Sequence, residues 1–146
     1  MKIIVENTVC LNTGDAAILL AIRHILRKVW GEDLRFQVFD SQPEVAARLY
    51  PSKEYPDLEF HKLLSESVFK YSYDQNVLKN AVKPLYNRIV LEALRRFGRG
   101  GSIDKILLGD SDRRSPEIYR DADLVITTGG TYLVENYNLE RRLNQF

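Results

Sequence analysis

The fold is decided by residues 2–19, KIIVENTVCLNTGDAAIL, in which a short apolar run meets a polar turn that contains a glycine. The β-branched run from Lys2 to Glu6 ends directly in polar residues, as a strand buried on both faces of a parallel sheet does. Apolar residues then recur at helical spacing from Ala16 to Trp30, and Gly31 ends the pattern. We expect a strand, a turn and then a helix that has Asp15 as its N-cap.

Later segments repeat this order of strand and helix. A second strand is predicted from Arg35 to Phe39, followed by a short helix that Pro43 opens and by a minor strand over residues 58–60. A late strand is predicted from Leu124 to Thr127. Strands that alternate with helices indicate βαβ units and parallel pairing. The predicted fold class is therefore α/β, a Rossmann-like parallel sheet with flanking helices.

The segment between these strands has a different pattern. Residues 60–97 are predicted to be mostly helical, with a break or kink near Lys83 because Pro84 cannot donate a helix hydrogen bond. Ser115 and Pro116 predict the cap and the first residue of a short helix. A last helix-compatible stretch covers residues 139–143.

Composition excludes several classes of protein. The 146 residues are 45% hydrophobic and 28% charged, which is typical of a folded globular domain. A net charge of +1 gives no general attraction to nucleic acid, and the arginine clusters at residues 95–99 and 113–114 are interpreted as solvated faces. No apolar stretch reaches the roughly 18 residues of a membrane span. The lone Cys10 and the lack of an export signal predict a cytoplasmic location.

The first candidate site is the turn that contains Asn12, Gly14 and Asp15. Ligands of parallel α/β proteins bind beyond the carboxyl ends of strands, and Gly14 permits close approach of a ligand or a positive φ. Binding of a phosphate is disfavoured here because Asp15 is itself an anion at a helix N-terminus. Two interpretations stay open: Asp15 and Gly14 are only a cap and a turn residue, or Asn12 and Asp15 hydrogen-bond a polyhydroxylated ligand.

The second candidate site is Gly129-Gly130-Thr131, directly after the late strand. Two adjacent glycines can expose successive amides as an anion-accepting nest, and Thr131 adds a hydroxyl group. A tight connection that binds no ligand is the alternative interpretation. Cys10 has no identifiable base and is interpreted as a buried or bystander thiol. Two histidines and one cysteine without close spacing predict no metal site.

The two turns together resemble motifs of the polysaccharide pyruvyltransferase family. Residues 12–18 are similar to the family's N-x-G-D-x-A-I turn, and residues 122–133 are similar to its A-D-L/V-V/I-I-x-x-G-G-x-x-L segment, in the same order. Many relatives have a third glycine, or a residue other than threonine, where this chain has Thr128. The substrate-binding residues that the resemblance carries over are Asn12, Gly14, Asp15, Gly129, Gly130 and Thr131.

The resemblance implies a fold like the N-terminal domain of the two-domain GT-B transferases. It implies transfer of a pyruvyl group from phosphoenolpyruvate to sugar hydroxyls as a ketal, during exopolysaccharide or cell-wall polymer biosynthesis. Phosphoenolpyruvate would be the donor substrate and a saccharide or lipid-linked saccharide the acceptor, with no bound cofactor and no metal.

In this family the residues that act on phosphoenolpyruvate lie largely in a second domain. Residues 1–146 are therefore expected to form an incomplete N-terminal α/β domain, with the catalytic residues elsewhere and no turnover by this chain alone. Two alternatives stay open, a non-catalytic Rossmann-like ligand-binding module and a GT-B nucleotide-sugar glycosyltransferase domain.

Overall fold

The computed structural model describes residues 1–64, 77–101 and 110–128. In these ranges the strands are β1 (Lys2–Thr8), β2 (Arg35–Asp40), β3 (Leu58–Lys62) and β4 (Leu124–Thr127). The helices are α1 (Thr13–Trp30), α2 (Pro43–Leu49), α3 (Val77–Gly98) and α4 (Asp110–Arg120). The strands form one parallel sheet, which confirms the α/β class.

The sheet has the strand order β3-β2-β1-β4. Strand β1 is paired in parallel with β2 on one side and with β4 on the other, so that Ile3 lies opposite both Phe36 and Leu124. The predicted parallel arrangement of these three strands is confirmed. Ile3, Ile4 and Val5 are all fully buried, as expected for three consecutive apolar residues in a strand covered on both faces.

The described residues form two compact units. Residues 1–63 and 121–128 contain the sheet with α1 and α2, and Leu64 with residues 77–101 and 110–120 contains α3 and α4. Helices α1 and α2 cover one face of the sheet, because Leu19 and Ala46 belong to the same core cluster as alternate residues of the strands. Those strand residues are Ile3 and Val5 of β1 with Phe36 and Val38 of β2.

The second unit has a small core of its own. Val90 and Phe97 of α3 are buried together with Leu64, and the ring of Tyr119 from α4 packs against them. The guanidinium of Arg120 lies 4.6 Å from the centroid of the Phe97 ring, a cation–π contact that joins the two helices. No helix within the described ranges is both long and apolar enough to cross a bilayer.

Two helix predictions are wrong in the second unit. Of the expected break or kink near Lys83, the break does not occur, since α3 continues through Pro84, whose missing amide cannot donate a helix hydrogen bond. Ser115 is not a helix cap, because α4 already begins at Asp110 and Ser115 lies buried in its middle. The stretch at residues 139–143 lies outside the described residues.

An ion-pair cluster joins α1 to the amino end of β3. Arg23 donates to both carboxylate oxygens of Asp57, at 2.7 and 2.8 Å, and Arg27 donates to Asp57 Oδ2 at 3.4 Å. Burial by itself would raise the pKa of Asp57, but the hydrogen bonds and charge of Arg23, helped by Arg27, lower that pKa below its ordinary value. This cluster stabilises the edge of the sheet opposite to the candidate site.

Candidate functional site

The candidate site is set by the point at which the strand order reverses. From β1 the chain moves outward through β2 to β3, and β4 then returns to the other side of β1. In open α/β sheets ligands bind beyond the carboxyl ends of the strands at such a reversal, because the two connections leave in opposite directions and open a crevice. Here the crevice is bordered by the ends of β1 and β4.

Thr128, the first residue after β4, is tied to β1. Its backbone amide and its hydroxyl both donate to the carbonyl oxygen of Glu6, at 3.2 and 3.1 Å. The second predicted turn therefore starts at the same sheet edge as the first. Its members Gly129, Gly130 and Thr131 lie outside the described residues.

The first turn begins α1 in a way that differs from the prediction. Asn12 is the N-cap, with extended backbone angles φ −85° and ψ 121°, and its side-chain oxygen accepts from the amide of Gly14 at 3.0 Å. The amide of Ala16 donates to the Asn12 carbonyl at 3.0 Å and closes the first helical turn. The prediction that Asp15 is the N-cap is wrong, since Asp15 lies three residues further on, inside the first turn.

Gly14 is a helical residue rather than a turn residue. Among the described glycines a positive φ occurs at Gly31 and Gly100, and Gly14 does not share it. A Cβ added to Gly14 would lie 3.5 Å from Asn12 Oδ1, which is an ordinary contact. The backbone therefore does not require glycine here, and Gly14 is exposed.

A buried carboxylate, that of Asp40, organises this edge. Asp40 is 1% exposed, and its Oδ2 accepts from the amide of Cys10 at 2.7 Å and from the hydroxyl of Thr8 at 3.1 Å. Its Oδ1 accepts from the amide of Gln42 at 2.7 Å. Asp40 thus joins the loop after β1 to the loop after β2. An acid directly after a predicted parallel strand is the signal that could have found it.

Cys10 is buried beside Asp40, in agreement with its interpretation as a buried thiol. Burial, a hydrogen bond to the Asp40 carboxylate and the negative charge of that group raise the pKa of the Cys10 thiol to about 12. A thiol with such a pKa stays protonated near neutral pH and is a poor nucleophile. Cys10 therefore packs the loop as a buried thiol.

The histidines lie away from this thiol in the contacts that the structure describes. His24 is exposed on α1, as expected for a surface residue. His61 Nε2 lies 2.6 Å from Gln37 Oε1, while Gln37 Nε2 donates to Glu59 Oε2 at 3.2 Å. Because Glu59 can only accept when ionised, the amide oxygen of Gln37 faces His61 and that histidine donates from Nε2. This chain of hydrogen bonds sets the orientation of the His61 ring.

The electrostatics of the first turn favour a neutral ligand that carries hydroxyl groups. The amide of Gly14, one of the free donors of the first helical turn, is already satisfied by Asn12, and Asp15 adds a negative charge beside it. Both features weaken the attraction of this helix end for an anion. Within residues 1–64, 77–101 and 110–128 no group of three or more His, Cys, Asp or Glu side chains could hold a metal ion.

Comparison with known proteins gave no similar protein. No family model matches the chain, and neither a curated protein sequence nor a solved structure is significantly similar to it.

Proposed function

We propose that this chain forms the acceptor-binding part of a polysaccharide pyruvyltransferase. One observation carries the proposal: β1 and β4, the strands that precede the two motif-bearing turns, are parallel neighbours at the reversal of strand order. The two turns, about a hundred residues apart in sequence, thus follow strands that end at the same end of the sheet. The GT-B-like character of the domain and its cytoplasmic location belong to the same proposal.

The proposed reaction joins two hydroxyl oxygens of a sugar to one carbon atom of phosphoenolpyruvate. The methylene carbon of the donor takes up a proton, the two oxygens bond to its carbon 2, and inorganic phosphate leaves with the remaining proton. Such a reaction needs the acceptor hydroxyls held in a fixed orientation towards the donor. The role proposed for this chain is to hold that acceptor.

The turn at the start of α1 suits the acceptor better than the anionic donor. Asp15 can accept hydrogen bonds from sugar hydroxyls, and it repels a phosphate or a carboxylate. The oxygen of the Asn12 side chain is used for capping, whereas its amide nitrogen makes no hydrogen bond with the part of the chain that the structure describes. A donor at the amide nitrogen of Asn12 and an acceptor at the carboxylate of Asp15 together match a hydroxyl-rich ligand, since a hydroxyl both accepts and donates.

Binding of a dinucleotide is disfavoured because Asp40 is buried and already hydrogen-bonded. In Rossmann folds that bind dinucleotides, an acid about 20 residues after the glycine-rich turn hydrogen-bonds the ribose hydroxyls. Asp40 stands at the end of β2, but its two oxygens accept from Thr8, Cys10 and Gln42 and are buried. A nucleotide-sugar glycosyltransferase and a non-catalytic module are the alternatives that the experiment below separates.

The test is a titration of the isotopically labelled chain followed by backbone amide NMR shifts. The ligands are methyl glycosides of glucose, galactose and mannose, then phosphoenolpyruvate, then uridine diphosphate glucose. We expect a methyl glycoside to shift the amides of Gly14, Asp15 and Thr128, and phosphoenolpyruvate to leave the Gly14 amide unshifted. Shifts with the nucleotide sugar alone would favour the glycosyltransferase, and no shift with any glycoside would overturn acceptor binding.

A further inference from the structure

The second unit carries an exposed apolar row on α3 that the proposed function does not use. Val82, Leu85 and Ile89 are 59%, 60% and 45% exposed. Their spacing of three and four residues places them on one side of the helix. Val90, on the core side of α3, follows Ile89 directly and is therefore rotated from this row by about 100° around the helix axis.

Arginines border this row. Arg88, Arg95 and Arg99 are exposed and recur at intervals of seven and four residues, so they form a second row beside the apolar one. Arg96 is exposed as well and lies seven residues after Ile89, at the end of the apolar row itself. We call these seven side chains the basic-apolar face of α3: Val82, Leu85, Ile89, Arg88, Arg95, Arg96 and Arg99.

Among the described residues, the positive charge of this face is only partly compensated. Residues 82–99 contain a single acid, Glu92, which lies 4.0 Å from Arg95 and 3.4 Å from Arg96. One carboxylate cannot neutralise both guanidinium groups. Arg88 and Arg99 form no ion pair with the residues that the structure describes. The chain as a whole carries only +1, so this local excess is a property of α3 and not of the protein's general composition.

We propose that the basic-apolar face of α3 docks on an anionic lipid surface. A helix that presents aliphatic side chains between arginines lies in the plane of a membrane interface, where the apolar row enters the headgroup boundary and the arginines meet lipid phosphates. Each arginine near such a surface strengthens binding roughly fivefold at physiological salt. This inference rests on α3 alone and does not depend on the proposed pyruvyl transfer.

Nucleic acid fits this face less well. Proteins that bind single strands place aromatic rings under the bases, and proteins that bind duplexes contact phosphates mainly with polar groups. The row between the arginines is aliphatic instead, and three exposed aliphatic side chains gain nothing from a sugar-phosphate backbone. A lipid headgroup layer can accommodate both rows, since its phosphates bind the arginines and its acyl boundary takes up the apolar side chains.

The experiment is cosedimentation of the 146-residue chain with lipid vesicles. We expect binding to vesicles of phosphatidylcholine mixed with phosphatidylglycerol, and none to pure phosphatidylcholine. Raising the salt from 0.1 to 1 M should weaken the binding, because the screening length falls from about 10 to about 3 Å. Equal binding to both kinds of vesicle, or no binding to the anionic ones, would overturn the proposal.

Two variants and a matched control locate the surface. Leu85→Glu and Arg88→Glu should each weaken vesicle binding at least fivefold, since each places a negative charge on the face. Ile25→Glu changes an equally exposed aliphatic residue on α1, at 56% exposure, and should leave binding unchanged. Circular dichroism should show all three variants folded. A Leu85→Glu variant that binds normally, or a face that instead forms a dimer by sedimentation velocity without binding vesicles, would contradict the proposal.

Discussion

Thr128 donates twice to the carbonyl oxygen of Glu6, through its amide at 3.2 Å and its hydroxyl at 3.1 Å, across 122 residues of sequence. The bonds hold the first residue after β4 against β1, the strand that leads into the Asn12 turn. The two strand ends that border the crevice are therefore connected directly. Changes at the α1 turn and at Thr128 are expected to affect one site.

Replacing Gly14 by alanine should separate folding from binding. The added Cβ makes only an ordinary contact with Asn12, and alanine is the better helix former, so thermal unfolding should show a gain of up to about 1 kcal/mol. Saccharide binding should fall about tenfold if the ligand approaches the bare backbone, a loss of about 1.4 kcal/mol.

Gly31→Ala is the matched control for Gly14. Gly31 has φ 92° and ψ −175°, a region that residues with a side chain avoid, so this change should cost about 1 to 3 kcal/mol of stability. Saccharide binding by the folded protein should stay unchanged, because Gly31 ends α1 on the far side. Full saccharide binding by Gly14→Ala would remove Gly14 from the candidate site.

Asp15→Asn should weaken saccharide binding with little effect on the fold. Asn12 and not Asp15 caps α1, so the change leaves the cap in place and removes a favourable charge at the helix N-terminus, about 0.3 to 1 kcal/mol. Asn12→Ala removes the cap itself and should cost about 1 kcal/mol of unfolding free energy. NMR titration of Asp15→Asn with the methyl glycosides measures the binding; an unchanged dissociation constant would leave Asp15 a helix-terminus role only.

Asp40→Asn should strongly destabilise the sheet edge. Its two oxygens both accept from amides, of Cys10 and of Gln42, so an asparagine must turn its NH2 group towards one of these donors. We expect a loss of roughly 2 to 3 kcal/mol, measured by urea denaturation. Asp33→Asn, at an exposed acid, is the control and should change the unfolding free energy by less than about 0.5 kcal/mol. Equal midpoints for the two variants would refute the role given to Asp40.

The Cys10 thiol should be unreactive in the folded protein. With a pKa of about 12, only about one molecule in ten thousand carries a thiolate at pH 8. A chromogenic disulfide reagent should therefore react at least about 100-fold faster with the chain in urea than with the native chain. Rapid modification of the native protein would contradict the burial of this group.

The same shift makes stability depend on alkaline pH. The pKa of Cys10 is raised on folding, so its contribution is fully present below the unfolded pKa of about 8.5 and is lost as the pH rises from there towards 12. Cys10→Ala should flatten the decline in unfolding free energy between about pH 8.5 and 10. A decline that is identical in the wild type and in Cys10→Ala would show that other groups cause it.

Asp57 should make stability depend on acid pH. Its pKa is lowered by folding, so the stabilisation is present above the ordinary carboxyl pKa of about 3.9 and is lost as the pH falls through the lower folded value. Asp57→Asn should cost roughly 2 to 3 kcal/mol at pH 7, because asparagine has only one acceptor oxygen for the two donating nitrogens of Arg23 and turns its NH2 group towards the other. The variant should lose less further stability below pH 4 than the wild type does; parallel acid unfolding curves would count against this assignment.

The sequence by itself determined the strands and helices of the first unit. Consecutive β-branched residues identified β1, helical spacing identified α1 with its end at Gly31, and Leu124 to Thr127 was predicted with its observed bounds. These features depend on residues that are near one another along the chain. Local spacing therefore predicted them, and it also indicated a parallel sheet.

The tertiary structure decided which groups form the candidate site and which only support it. The sequence pattern predicted Asp15 as the N-cap of α1, yet the N-cap is Asn12. Which residue caps the helix depends on where the chain leaves β1. The role of Asp40 arises from donors that lie two and about 30 residues away, and the bond of Thr128 to Glu6 spans 122 residues. Residues so far apart come into contact only because of the order of the strands in the sheet. Local sequence patterns therefore cannot predict their hydrogen bonds.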